Sequence, residues 1–544
     1  MSDDRKRLVA AVAFFVALCG ILYVTGNGAV SLFDPDDAFY AATAREMLVH
    51  KSFLTPLLFD QPQFEKPPLY YWFLMAAFEG LGTNAWSARL VNVLFATLAV
   101  ILTYLFLRRF SNERTARYGG LILATTIWWV GLARVVLTDM MFAVLIMAGL
   151  YAAYCWIETR EKKWLTMFGL AAALATLTKG PLGLALPAVA VTIHLAIARD
   201  GRSIRRFLLG RWWLPYLVIG LPWYIYAYVT NGKLLIGEFF VHDHWDRLVG
   251  AEHPSFNHWY FYPVMICLFF IPWTAFLPFL SRPDRGSRPL FRFMVIWFLT
   301  IVLSFSIAQS KLATYVSPAY PALAVLVAMG LAQQSIARWR QLAGAGLLIA
   351  SAAALVAGAL IAPEKAGLPK IVSVPIAAGA VFVLAAGVLL IFRRIRDAVI
   401  ATAASVGVLV ILSSIIIFPL LEGGLTQADV PAAAAKCGMQ NQSVLCSPIY
   451  ARGIHFYTDQ PIIVVAPRPH PYWSDHPIPI ISTDSAITRL LDTTATQFCV
   501  LSPRELRRVT KLLPPGSRLD TVERAMDKTI LVYRRGAVTA SPQP

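Results

Sequence analysis

Along most of this chain the apolar residues neither alternate nor form narrow helical stripes. They run in blocks of about twenty, the length of a helix crossing ~30 Å of hydrocarbon at 1.5 Å per residue. The blocks fall near residues 8–25, 86–107, 117–133, 137–157, 164–178, 181–198, 213–229, 259–280, 293–308, 312–335, 342–362, 371–392 and 398–419. They predict a mostly α, polytopic membrane protein of about thirteen transmembrane helices. From about residue 425 the pattern changes. Short β-prone runs at Ser443–Cys446, Ile462–Val465, Phe498–Leu501 and Thr529–Tyr533 alternate with turn residues and with a helical stretch at Pro503–Leu513. This predicts a small α/β domain over 425–544, following a membrane domain over 1–424. Two long connections interrupt the membrane part, at 26–85 and 230–258.

Composition agrees with this pattern. Of 544 residues, 57% are hydrophobic and 15% charged, and the mean hydropathy is +0.60. A soluble chain carries about a quarter charged residues, so an ordinary soluble enzyme and a disulfide-rich secreted module are both excluded. The net charge of +17 would suggest a nucleic-acid surface in a soluble protein. Here the positive-inside rule accounts for it, and no nucleic-acid partner is expected. With the N-terminus on the cytoplasmic side, the short inner connections hold 24 of the 48 Lys and Arg, the outer connections 11 and the tail 13. Every inner connection is a basic cluster, such as Arg108, Arg109, Arg114 and Arg117, or Arg393, Arg394 and Arg396. The C-terminal domain is therefore expected outside. Eight of the nine His fall on that side, among them His242, His244, His253, His455, His470 and His476. The six Cys divide between spans and tail, and the three in the tail (Cys437, Cys446, Cys499) allow no bridge to be chosen from spacing.

Candidate chemistry gathers in the first outer loop. Residues 34–47 read Asp-Pro-Asp-Asp-Ala-Phe-Tyr-Ala-Ala-Thr-Ala-Arg-Glu-Met. Asp36 and Asp37 suit a helix start, where the dipole favours carboxylates. Tyr40, Ala44 and Met47 would then share the apolar face of a helix lying along the membrane. A capped interfacial helix is one reading, and an acidic pair at the mouth of a membrane-level cavity is the other. Residues 64–72 read Phe-Glu-Lys-Pro-Pro-Leu-Tyr-Tyr-Trp. Pro67 and Pro68 hold Lys66 in an extended corner before a new helix, as an interface anchor or as a clamp for a lipid phosphate.

These two motifs together resemble the bacterial glycosyltransferases of the C-type membrane fold, relatives of the protein O-mannosyltransferases. Among them the match is to the lipid A 4-amino-4-deoxy-L-arabinose transferase group, and it extends over the membrane part of the chain. The resemblance implies that Asp36 is the catalytic acid of the first loop, that Lys66 contacts a polyprenyl phosphate, and that Asp139 is a second active-site acid. Tyr40 and Arg45 belong to the same first-loop motif and are carried with it as substrate-binding candidates. Asp37 stands where many relatives have Glu. Gln309-Ser310-Lys311-Leu312-Ala313-Thr314-Tyr315 matches a Lys-Leu-Pro-x-Tyr element that would bring Lys311 and Tyr315 to the site, with Ala313 in place of its Pro and Ser317 in place of a usual Leu.

Charge placement points the same way without the resemblance. Lys66, Arg134, Lys179, Arg247 and Lys311 sit at outer span ends, where an ion at membrane depth usually faces a cavity or a partner. Such cations would hold a phosphate that gains charge as a glycosidic bond breaks; pairing with local carboxylates or lipid headgroups is the plainer account. Glu65, His242 and His455 offer N and O ligands for Zn²⁺, although a solvated polar loop explains the 242–247 stretch as well, and no cofactor is required. No Walker-type loop occurs. The expected function is inverting transfer of a sugar, 4-amino-4-deoxy-L-arabinose on this reading, from polyprenyl phosphate to lipid A phosphate at the periplasmic face of the bacterial inner membrane, by a monomer. Transfer of a hexose to a protein or glycan hydroxyl is the same-class alternative. A lipid-linked-sugar transporter is the alternative of another class, although its expected paired halves are absent from the pattern.

Overall fold

The structure, a computed structural model, describes residues 3–250, 256–281, 284–366, 369–468 and 478–536. His253, His470 and His476 lie outside the described residues, as does the side chain of His244. The chain divides into two compact units. The first comprises 1–27, 64–70 and 89–417, and the second 28–63, 71–88 and 418–544.

The first unit is helical throughout. Among the described residues, eight helices of the chain are long and apolar enough to cross a membrane: Asp3–Val24, Ala85–Phe110, Thr138–Thr159, Arg285–Ile307, Ala313–Leu331, Arg338–Ile361, Lys370–Ile391 and Ile395–Leu425. Each coincides with a predicted block. The block at 259–280 becomes a bent pair, Phe261–Phe269 and Trp273–Phe279, turning through 107° where Pro272 removes a backbone donor. The other four blocks fall short of the same measure. The 117–133 block is split at Thr125–Thr126 into helices Glu113–Ala124 and Ile127–Ala133. Helix Lys162–Lys179 carries a lysine at each end, and Leu182–Ile197 has only 16 residues. Around 213–229, Pro215 and Pro222 divide the block into short helical pieces. Helix and strand propensity say little about such breaks, because blocks of equal hydrophobicity fit continuous and broken helices alike.

Helix Thr138–Thr159 is the centre of this unit, with nearly all of its residues from Thr138 to Trp156 buried. Trp129, Trp273, Trp297, Tyr104 and Tyr320 are completely or almost completely buried around it. Small residues let helices approach closely, as in other membrane bundles. A Cβ on Gly183 would stand 2.5 Å from the Ala175 carbonyl carbon and 2.6 Å from the Thr176 nitrogen. Glycine there allows helix Leu182–Ile197 to cross the end of helix Lys162–Lys179.

The second unit combines the first loop with the tail. Helix Asp36–Val49 begins at the predicted acidic pair, but it does not lie on a surface with one apolar face. Asp37 through Ala44, Glu46 and Met47 are all buried, in part because the helix packs on Ala451–Tyr457 from the tail. That packing joins residues about 400 positions apart. A local pattern cannot show it.

Strands β1 (Leu57–Leu58) and β2 (Gln61–Pro62) form a hairpin in the first loop. The tail carries a six-stranded mixed sheet. Its strands are β3 (Val444–Cys446), β4 (Ile462–Val465), β5 (Ile480–Ile481), β6 (Thr496–Leu501), β7 (Arg518–Ala525) and β8 (Lys528–Arg534), in the order β5-β4-β3-β6-β8-β7. β3 runs parallel to β4 and β6 with Val444 opposite Ile462 and Phe498. β8 is antiparallel to β6 and β7. The four predicted runs are β3, β4, β6 and β8. β7 was not predicted because it is a charged edge strand, Arg-Leu-Asp-Thr-Val-Glu-Arg-Ala, with the side-chain character that protects an edge from pairing.

Candidate active site

In the first unit a cavity of about 270 Å³ is lined by Lys66, Asp139, Lys179, Arg247 and Tyr315, with Phe142, Leu182, Leu186, Leu248 and Phe305 among its apolar walls. Five residues singled out from the sequence thus meet in one place, although they come from five separate segments.

Each is positioned by a local device. The Lys66 corner, closed by Pro67 and Pro68, is tied down where the Phe64 amide donates to Glu238 Oε2 at 2.8 Å, and Lys66 Nζ donates to the Glu65 carbonyl at 2.8 Å. Glu238 was missed from sequence; its partner is an amide 174 residues away, and no motif marks it. Asp139 lies in the first turn of helix Thr138–Thr159, where the dipole favours a carboxylate. Lys179 ends its helix against Gly180 (φ +102°), a conformation open to glycine. Its ammonium meets Asp139 Oδ1 at 2.6 Å and lies 5.2 Å from the Tyr315 ring centroid and 5.9 Å from that of Phe142. Arg247 donates to the Tyr315 hydroxyl at 3.1 Å. The Arg247 and Leu248 carbonyls accept from the Ser310 and Gln309 amides at 3.0 and 3.2 Å, which fixes the guanidinium against the 309–315 segment. Lys66 and Arg247 are both close enough to Lys179 to repel its charge.

Three cations and one carboxylate give the lining a formal charge of +2 beside an apolar wall. A small cavity of this kind fits a phosphate whose substituent is a hydrocarbon chain. Its charge also matches a phosphate going from one negative charge to two, so the attraction grows as a bond to the phosphate oxygen breaks.

Other candidates are engaged elsewhere. Lys311 does not line the cavity; its ammonium donates to Asn257 Oδ1 at 2.8 Å and to the Ala308 carbonyl at 2.6 Å. Arg134 is buried and donates to the Leu22 carbonyl and Ser414 Oγ at 2.9 and 2.8 Å, so it joins helices rather than holding an anion. No three His, Cys, Asp or Glu side chains among the described residues come together to hold a metal. Of the proposed metal set, His242 faces Asp246 at 3.3 Å and His455 faces Glu46 at 2.5 Å.

The remaining first-loop residues belong to the second unit. Asp36 is exposed, whereas Asp37 is buried and accepts from the Phe33 amide at 3.5 Å. Tyr40 is buried, its ring 6.1 Å from that of Tyr71. Arg45 donates to the Phe456 carbonyl at 2.7 Å and to Asp459 Oδ1 at 3.2 Å, pinning the first-loop helix to the tail. The neighbouring Glu46 accepts from the Phe59 and Asp60 amides at 2.7 and 2.8 Å, holding the left-handed pair (φ 54° and 60°) that turns the β1–β2 hairpin. Burial pushes the Glu46 carboxyl up, but His455 and the two amides outweigh it and hold it below its ordinary value.

Comparison with known proteins identifies the lineage. The dolichyl-phosphate-mannose-protein mannosyltransferase family matches residues 8–281. The chain belongs to this family. Within the matched region lie Asp36, Lys66, Asp139, Lys179 and Arg247. An uncharacterised protein of Aquifex aeolicus is 31% identical over 325 residues, covering 59% of this chain and 64% of its own length. The undecaprenyl phosphate-alpha-4-amino-4-deoxy-L-arabinose arabinosyl transferase of Pectobacterium atrosepticum is 31% identical over 338 residues, 60% of each chain. The chain thus spans less than two thirds of the length of these relatives. Crystal structures of ArnT from Cupriavidus metallidurans share the fold. The one bound to undecaprenyl phosphate has a TM-score of 0.76 at 24% identity and covers 98% of this chain and 99% of its own. The apo structure has a TM-score of 0.77 at 23% identity, with both chains fully covered. The C-type membrane fold with a small α/β domain, implied by the first-loop motifs, is therefore the fold of this family member.

Proposed function

We propose that this chain is a polyprenyl-phosphate-dependent glycosyltransferase of the outer face of the bacterial inner membrane, with its N-terminus cytoplasmic and its α/β domain periplasmic. The observation that carries the reading is the cavity of net charge +2 with an apolar wall, formed by Lys66, Asp139, Lys179 and Arg247. It suits a polyprenyl phosphate, and the name of the Pectobacterium atrosepticum relative supports 4-amino-4-deoxy-L-arabinose as the sugar. Lipid A phosphate is the proposed acceptor and a monomer the proposed acting form.

In the reaction an acceptor oxygen attacks the anomeric carbon, and the bond from that carbon to the polyprenyl-phosphate oxygen breaks with its electron pair left on the phosphate. One displacement inverts the anomeric centre. Lys66, Lys179 and Arg247 meet the growing phosphate charge, and the Asp139 carboxylate orients Lys179. Asp36 is proposed, on its motif, to orient the acceptor or take its proton. An acceptor phosphate is already ionised and needs positioning more than a base.

The test is mass spectrometry of lipid A from a host that makes the aminoarabinose donor but lacks its own transferase, expressing this chain or its Lys66→Ala variant. Aminopentose on the phosphates with the wild type, lost in the variant, is the expected result. Unmodified lipid A with the inserted, folded wild type would overturn the sugar and acceptor; donor turnover onto protein or glycan hydroxyls would then identify the hexose-transfer alternative.

A further inference from the structure

A second and larger cavity, of about 850 Å³, lies in the first unit, lined by residues around the start of three helices: Asp3–Cys19, Glu113–Ala124 and Ile395–Leu425. Its charged lining is Arg7, Arg114 and Arg396 together with the paired Glu113 and Arg117, and its wall includes Phe14, Leu121 and Val399. These arginines belong to the basic clusters that the charge pattern assigns to the inner membrane face, so position alone would be explained by the positive-inside rule. Four further observations are not explained by that rule.

The arginines come from separate segments yet face one cavity. The acids around them are already engaged: Asp4 meets Arg108 at 2.5 Å, Glu113 meets Arg117 at 2.7 Å, and Asp397 meets Arg394 at 2.6 Å. Among the described residues, none of the ion pairs of Asp3, Asp4, Glu113 and Asp397 involves Arg7, Arg114 or Arg396, and the Arg114 guanidinium is held 5.6 Å from the ring centroid of the buried Tyr118. Finally, the wall beneath the charges is apolar, and Phe14 remains 54% exposed. Arg114 and Arg396 also stand in the first turns of their helices, where the dipole disfavours a cation and an incoming anion would relieve that conflict.

We infer that this cavity is a binding site for an anionic phospholipid, its phosphodiester among Arg7, Arg114 and Arg396 and its acyl chains along Phe14, Leu121 and Val399. Basic pockets between membrane helices on the cytoplasmic side hold anionic headgroups by this combination of charge and apolar wall. The cavity volume lies within the range of small-molecule sites. The site is distinct in residues from the polyprenyl-phosphate cavity and does not depend on the proposed sugar or acceptor.

The experiment is native mass spectrometry of the full, delipidated chain titrated with phosphatidylglycerol or with phosphatidylethanolamine of the same acyl chains. The wild type should take up one phosphatidylglycerol with clear preference. Each arginine near a charged surface contributes roughly a fivefold factor, so Arg7→Gln/Arg114→Gln/Arg396→Gln together should weaken it about a hundredfold. Phe14→Ala, which leaves the charge intact, should also weaken it. Arg205→Gln/Arg206→Gln, exposed inner-face arginines outside the cavity, should not. Unchanged thermal unfolding of the variants would show that they are folded. Equal binding of the two lipids, or an equal loss in the Arg205/Arg206 control, would overturn the site. Displacement of the lipid by glycerophosphoglycerol at comparable concentration would overturn the lipid in favour of a soluble phosphodiester.

Discussion

Asp139 and Lys179 offer a direct test of whether the small cavity works through its net charge. Lys179→Met removes a cation and leaves the Asp139 carboxylate facing the phosphate, taking the lining from +2 to +1. Asp139→Asn takes it to +3. The double variant restores +2 while deleting the 2.6 Å ion pair. At roughly 6 Å and an effective dielectric constant of about 20, one unit charge acting on a singly charged phosphate amounts to about 3 kcal/mol, or about a hundredfold in affinity as an upper bound. The assay is equilibrium binding of undecaprenyl phosphate to the purified full chain in detergent. Asp139→Asn should bind 10- to 100-fold more tightly, by the same estimate, and Lys179→Met should bind correspondingly more weakly. The double variant should return to within about threefold of the wild type. Breaking a buried pair can cost about 3–5 kcal/mol of stability, so thermal unfolding must show that the Lys179→Met chain is folded. A double variant as weak as Lys179→Met would refute the charge argument and make the pair a geometric requirement.

Three further outcomes follow from other parts of the molecule. Glu238→Gln loosens the Phe64 amide that holds the Lys66 corner, so kcat should fall about tenfold with little change in donor KM, a split readable in steady-state kinetics; a rise in KM alone would show that the corner serves only binding. Gly183→Ala would place a Cβ 2.5 Å from the Ala175 carbonyl carbon, and should lower thermal stability by about 1–3 kcal/mol and donor affinity with it, because Lys179 ends the displaced helix. In the second unit the Asp34 carboxyl oxygens are buried. Burial pushes this group up to about 8, with Gln427, Lys528, the Gly453 backbone and Arg452 opposing it only in part. The folded state then holds a proton that the unfolded state has lost between about pH 4 and pH 8, so this group lowers stability by up to about 1.4 kcal/mol per unit as pH rises through that window. Denaturation of the wild type and of Asp34→Asn at pH 5 and pH 8 should show the variant less sensitive to pH, and equal slopes would contradict the assignment.

Much of this protein is legible in its sequence. Blocks of about twenty apolar residues are long enough to be recognised whatever they pack against, and eight of them became uninterrupted helices. The start of the first-loop helix at Asp36, the Pro67–Pro68 corner at Lys66 and four of the six tail strands were also legible, because caps, prolines and β-prone runs act over a few residues. The candidate cations were found by a similar local rule, that a charge at a span end requires a partner.

Only the tertiary structure could say which partner each charge has. Lys66, Lys179 and Arg247 share a cavity, whereas Lys311 goes to Asn257, Arg134 to Leu22 and Ser414, and Arg45 to Phe456 and Asp459. In sequence these residues look alike: each is a basic side chain beside an apolar block. Their fates diverge because hydrogen-bond partners come from segments 54 to 411 positions away in the cases of Lys311 and Arg45, and pairing at that separation depends on how helices pack. The same reason pairs His455 with Glu46 across 409 positions. Hydrophobic length determined that this chain enters a membrane. Packing decided which of its charges are left facing the candidate site.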